Sequence, residues 1–134
     1  MHSMSHEILD QHPNAKTGST ATIADCIAAC NECAAVCTTC ADACVAEGKP
    51  GLEACIRLNL DCADLCAATA RVLSRSSGTQ AAMSQILAAC RAACVACAAE
   101  CEQHGKHMKH CATCAECCRR CADACAKLLG GASA

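Results

Sequence analysis

The 134-residue chain has no Phe, Tyr or Trp, two prolines and only eleven Lys and Arg. Each shortage excludes something. Without aromatic rings there is no platform for base stacking, and a formal net charge of −2 leaves no footprint for a phosphate backbone, so nucleic acid is not expected as a partner. Long uncharged runs are missing too. Ala92 to Ala99, between Arg91 and Glu100, is a typical uncharged run, short of the roughly 20 apolar residues a membrane span needs. Residues 1 to 20 contain Glu7, Asp10 and Lys16 and no apolar stretch, so they are not read as a secretory signal and the cytosol is the expected compartment, where thiols stay reduced. Bulky aliphatics are scarce as well: 22 Val, Ile, Leu and Met stand against 31 Ala and 19 Cys. A chain this short forms one domain. Its interior must therefore be built largely from alanine and cysteine.

Punctuation divides the chain into four long runs. Gly18-Ser19, Gly48-Lys49-Pro50-Gly51, Ser76-Ser77-Gly78 and Gly105 are the breaks, and Ser77 with Gln80 fits a capping box. Alanine-rich helices are expected over about 20–47, 52–76, 79–104 and 106–129, joined by short turns that make neighbours antiparallel. The fold class is all-α: an up-down-up-down four-helix bundle over 19–134 with a cysteine-lined core. Residues 1–18 form an N-terminal arm with room for a short helix over Ser5 to Gln11, before Pro13.

The cysteines follow the helical period. Cys26, Cys30, Cys33, Cys37, Cys40 and Cys44 advance in steps of four and three, which is an a/d seam. Cys90, Cys94, Cys97 and Cys101 repeat it, continuing through His104 and Met108. In the second run Cys55, Cys62 and Cys66 share a face with Asn59 and Thr69; the fourth carries Cys111, Cys114, Cys118, Cys121 and Cys125, with Cys117 beside the seam. A bundle buries such positions, so all four helices should aim thiols at one axis.

Several chemistries could use them. Cysteine can act simply as a small hydrophobe, and a structural bundle with incidental thiols would then bind no metal tightly. Disulfides fit poorly, because i,i+3 and i,i+4 neighbours have Cβ atoms about 5 to 6 Å apart and a disulfide wants about 3.5 to 4.5 Å. Cys111-Ala-Thr-Cys114-Ala-Glu-Cys117-Cys-Arg-Arg-Cys121 has the spacing of a bacterial iron–sulfur motif. An iron–sulfur electron-transfer protein is therefore the alternative reading, although Ala122 stands where that motif has Pro and the segment is helical in pattern. Structural zinc takes discrete tetrahedral sets, usually from turns, and a continuous file of thiols does not divide that way. Cu(I) suits the pattern best. Thiolate selects it, and two sulfurs bridged by one ion lie roughly 4 to 4.5 Å apart, which adjacent helical turns can meet. One ion per bridging thiolate gives a capacity of roughly 15 to 20, and each Cu⁺ cancels one buried thiolate charge.

These residues resemble the cytosolic copper storage proteins, a family of cysteine-rich four-helix bundles. The resemblance rests on Cys26 to Cys44, Cys62/Cys66, Cys90 to Cys101, the CATCAECCRRC stretch and Cys125, and spans about residues 20–129. It implies non-catalytic storage of many Cu(I) ions along the bundle axis, in the cytoplasm, by a homotetramer. A copper chaperone is a candidate exchange partner.

Antiparallel topology separates the two ends. Ile23, Leu73, Ile86, Leu87, Leu128 and Leu129 should meet at one end as an apolar plug. The other gathers Cys44, Cys55, Asn59, Cys101, His104, His107, Met108, His110 and Cys111. Imidazole and thioether are labile Cu(I) ligands, which makes this the expected mouth; a solvated polar turn is the competing reading of the histidines. His104 continues the seam and His110 precedes the first thiol of its helix, so these two and Met108 are the candidate ligands, with Asn59 and His107 as further mouth residues. His2, Met4, His6 and His12 are read as a polar arm, and Asp25, Glu32, Asp42, Glu100, Arg119 and Arg120 as surface.

Overall fold

Alanine sets the local structure: it has the highest helix propensity and leaves neighbouring backbones room to approach. In a computed structural model, which describes residues 3–15, 20–75 and 81–133 and side chains through Gly130, five helices form. They are α1 (Met4–Gln11), α2 (Thr20–Glu47), α3 (Glu53–Arg75), α4 (Met83–His104) and α5 (Lys109–Ser133). No strand occurs among the described residues. The four long helices pack as a closed cycle, each against its two neighbours, with α5 returning to α2.

Helix ends depart from the expected positions where turn chemistry competes with propensity. Helix α4 begins at Met83 after a turn at Ala81 and Ala82, and its N-cap Ala82 supplies no side-chain bond; the start expected at 79, with Ser77 and Gln80, lies outside the described residues. The next helix starts at Lys109 rather than 106, because the amides of His107 and Met108 fold back onto the His104 carbonyl at 3.1 and 3.0 Å. At the far end α5 runs through Gly130-Gly131 to Ser133 instead of stopping near Leu129. A helical glycine is unfavourable by only about 1 kcal/mol relative to alanine. Gly48 and Gly51, at φ 64° and 85°, do carry the left-handed turns between α2 and α3, a conformation glycine adopts without penalty.

The arm is ordered over α1. Ser3 caps it by accepting from the His6 amide at 3.3 Å, Leu9 is buried against the bundle, and the Thr20 hydroxyl donates to Asp10 at 2.5 Å. At the same end Ile23, Ile27, Leu73, Met83 and Leu87 are buried, while Ile86, Leu128 and Leu129 are half-buried. These large apolar side chains close one end of the axis.

By length and composition alone, Thr20–Glu47 and Met83–His104 are long and apolar enough to cross a bilayer, with windows of mean hydropathy 1.3. The count of uncharged runs missed this because isolated charges interrupt an otherwise Ala- and Cys-rich sequence. In the fold, the cysteine faces of both helices turn inward.

Candidate metal centre

All nineteen cysteines are free thiols and all are buried. Heptad spacing puts them on the inner faces of α2 to α5, and antiparallel packing interleaves the four series into one column. Near the plug, Cys26 lies 3.9 Å from Cys125. The next layer joins Cys30 to Cys90 and Cys121 at 4.0 and 3.7 Å, and Cys66 to the same two at 3.8 Å each. Cys66 meets Cys94 at 3.6 Å and Cys62 at 3.9 Å, and Cys33 links Cys62, Cys118 and Cys37 at 3.9, 3.8 and 3.7 Å. Cys37 continues to Cys118 at 3.5 Å and Cys114 at 3.8 Å. Four sulfurs converge repeatedly, as in Cys30/Cys66/Cys90/Cys121, Cys33/Cys37/Cys62/Cys118 and Cys37/Cys97/Cys114/Cys118, each set lying within 4.8 Å.

Asn59 then joins the column, at a level where Cys97 and Cys114 still lie beside Cys101. It is completely buried on α3. Its Oδ1 accepts from Cys114 at 3.0 Å and Cys97 at 3.4 Å, while its Nδ2 donates to the Cys55 carbonyl at 2.8 Å and to the sulfurs of Cys55 and Cys101 at 3.4 and 3.6 Å. The amide thus uses both ends, each toward a different group of thiols, which satisfies a polar side chain in an otherwise sulfur-lined interior.

Beyond Asn59 lies a second, smaller group. Cys55 contacts Cys101 at 3.8 Å and Cys44 at 3.9 Å, and Cys111 contacts Cys44 and Cys40 at 4.0 and 3.9 Å. His110 joins it, with Nδ1 at 3.4 Å from Cys40 Sγ and 3.6 Å from Cys111 Sγ. Cys40, Cys44, His110 and Cys111 form a mixed sulfur–nitrogen set within 4.8 Å.

The other candidate mouth residues are spread differently. His104 is half-buried, its Nε2 2.8 Å from Glu100 one turn back. His107 is exposed. Met108 is buried and, with buried Leu52, roofs this end. Cys117 is turned off the axis, 3.9 Å from Glu32 Oε1. Carboxylate partners of the histidines were missed in the sequence: the Glu100/His104 pair was legible as an i,i+4 spacing, but Glu47, which meets His110 across 63 positions of chain, left no local signal.

Burial governs protonation. Loss of hydration, then the nearness of Cys44, pushes the Cys111 thiol up to about 12, and desolvation followed by Cys101 raises Cys55. Deeper in the column protons are shared, so that Cys26, accepting from Cys125, is drawn below the ordinary thiol value while Cys125, donating to Cys121 and Cys26, is raised. A soft cation that replaced those protons would also cancel the repulsion between crowded thiolates.

The iron–sulfur spacing dissolves in three dimensions. Cys111 faces Cys40 and Cys44, Cys114 faces Cys37 and Asn59, Cys121 faces Cys30 and Cys66, and Cys117 points to Glu32. Strung along one helix, those four sulfurs do not converge on one cluster.

Fold and site together define a helical bundle whose axis is a column of soft-metal ligands. The sequence model of the copper storage protein family matches residues 19–130, and the chain belongs to that family. Three solved structures place it further. A copper storage protein from Streptomyces lividans, loaded with 10 copper equivalents, is 43% identical, with 95% of this chain and 98% of that one covered and a TM-score of 0.88. The Streptomyces lividans cytosolic copper storage protein with five coppers is 46% identical over 82% of this chain and 93% of that one, TM-score 0.77. Copper storage protein 3 from Bacillus subtilis, in its apo form, is 34% identical over 78% of this chain and 96% of that one, TM-score 0.68. No curated protein sequence matches the chain.

Proposed function

We propose that this chain is a cytoplasmic, non-catalytic store that holds Cu(I) reversibly on the thiolates of its axis, with a capacity of roughly 15 to 20 ions. The observation that carries this reading is the spacing of the column. Neighbouring sulfurs stand 3.5 to 4.0 Å apart, and two sulfurs bridged linearly by one Cu(I) need roughly 4 to 4.5 Å, so each bridge asks at most about 1 Å from rotamers. All nineteen thiols serve as ligands in this reading, Cys117 by turning inward toward Cys33, beside which it lies. The end bearing His104, His107, Met108 and His110 is the mouth, where nitrogen and thioether ligands pass ions to and from the thiols. The bundle is preformed, since alanine-rich helices and the apolar plug do not need metal to assemble.

The Streptomyces lividans relative described as cytosolic supports the cytoplasmic assignment. Exposed Ile8, Val45, Leu60 and Leu65 support association into a homo-oligomer, a tetramer on the family resemblance, which light scattering would measure. A copper chaperone or a small thiol supplies and withdraws ions. Anaerobic titration with Cu(I) against a competing chelator tests the whole: uptake should continue past ten ions per chain without colour, whereas saturation at one to four would overturn the continuous-column reading. A brown, iron-containing protein would favour the iron–sulfur alternative instead.

A further inference from the structure

The mouth histidine has a partner for which copper binding by thiols has no use. Glu47 is the last residue of α2, and its Oε2 lies 2.9 Å from His110 Nε2. As a helix-stabilising residue it is misplaced: a carboxylate at a C-terminus faces the negative end of the helix dipole, and α2 has no basic residue in its last turn to offset it. Lys49 approaches only the other oxygen, at 3.9 Å. As a hydrogen-bond acceptor for His110, Glu47 is well placed.

That bond decides which ring nitrogen can bind metal. An ionised carboxylate only accepts, so Nε2 must carry the proton, and in the neutral ring this leaves the lone pair on Nδ1. Nδ1 is the atom facing Cys40 and Cys111 at 3.4 and 3.6 Å. The opposite tautomer would present an N–H to the same sulfurs. Packing is loosest on the outer side of the ring, where a groove between α2 and α5 of about 380 Å³ is lined by Ala35, Val36, Thr39 and Thr113. None of these small side chains can clamp an imidazole.

We infer that Glu47 is a positioning residue that holds His110 as the Nε2–H tautomer and aims its Nδ1 lone pair into the Cys40/Cys44/Cys111 group. The inference rests on the reading of His110 as a mouth ligand, and it follows the general pattern in which a carboxylate orients a metal-binding histidine. Glu47→Ala removes the acceptor; Glu47→Gln keeps one in the amide oxygen. Both full-length variants are compared with wild type and His110→Ala by ¹⁵N NMR of the apo histidine ring and by competition of the mouth-bound Cu(I) against a chelator under anaerobic conditions.

Wild type and Glu47→Gln should show a protonated Nε2 and a bare Nδ1 at His110. Glu47→Ala should show mixed tautomers and about tenfold weaker retention of the mouth-bound ions. If Glu47→Ala keeps the wild-type tautomer and retention while His110→Ala loses retention, the positioning role is overturned and the mouth reading stands. If His110→Ala retains copper like wild type, the mouth reading itself fails and the inference falls with it.

Discussion

Asn59 marks the level at which one continuous column of thiols changes character, with Cys40 and Cys101 on one side still beside Cys114 and Cys97 on the other. On the plug side the column from Cys26 and Cys125 to Cys37 and Cys114 is fully buried, closed off by Leu73 and Leu87 and shared among all four long helices. On the mouth side Cys40, Cys44, Cys55, Cys101 and Cys111 sit with a half-buried imidazole and, through it, a carboxylate in reach of water. On the proposed storage reading, the contrast is a division of labour. Ions bridged only by buried sulfur have no competing ligand and no route out except past other sulfurs, which suits retention; a site with nitrogen and solvent at its edge suits exchange.

The largest effect expected from breaking this contrast is on capacity. Replacing Cys33, Cys66, Cys94 and Cys121, one four-sulfur set, by Ser should remove about four ions, one per bridging thiolate, in an anaerobic titration. The same number of replacements taken one from each layer should scatter the loss. A smaller but clear effect separates plug from mouth in the apo protein. Leu73→Ala should lower stability by about 2 to 5 kcal/mol in urea unfolding, whereas Cys111→Ala, which deletes only a sulfur, should lower it by about 1 kcal/mol or less.

The mouth group also predicts a pH dependence. Cys55 and Cys111 hold their protons above the ordinary thiol value of 9.0, Cys111 to about 12, so above pH 9 the unfolded chain releases protons first and unfolding gains. Reduced apo protein should therefore be most stable below pH 9 and melt at progressively lower temperature as pH rises toward 12. Saturation with Cu(I) before the pH series should flatten it, because bound thiols no longer titrate. An effect as small as that of Cys111→Ala is expected at Asn59. Its replacement by Ala should cost about 1 kcal/mol in the apo protein, measured by the same unfolding, since its partners are mostly weak sulfur donors and acceptors.

Much of this was legible in the amino-acid order, and the rest fails to be for identifiable reasons. The inward faces were readable because Cys recurs at every third or fourth residue, and the plug because the few Leu and Ile cluster at positions that antiparallel helices bring together. Cys117, displaced by one residue from the seam, pointed aside as that displacement requires. The early stop expected for α5 failed because two glycines weigh little against packing along a whole helix, while the start expected for α4 at 79 lies outside the described residues. Nothing local announced that Glu47 would meet His110.

What the sequence by itself determined is therefore the ligand type, the helical face and the sealed end: side-chain chemistry and the 3.6-residue period are local properties, and no partner is needed to express them. The tertiary structure alone decided which thiols are neighbours, as with Cys37 and Cys118 at 3.5 Å across 81 positions, where Asn59 enters the column, and how His110 is held. Those follow from the relative rise and rotation of four packed helices. Knobs-into-holes contacts set that geometry between chain segments, where no periodicity within a single segment can record it.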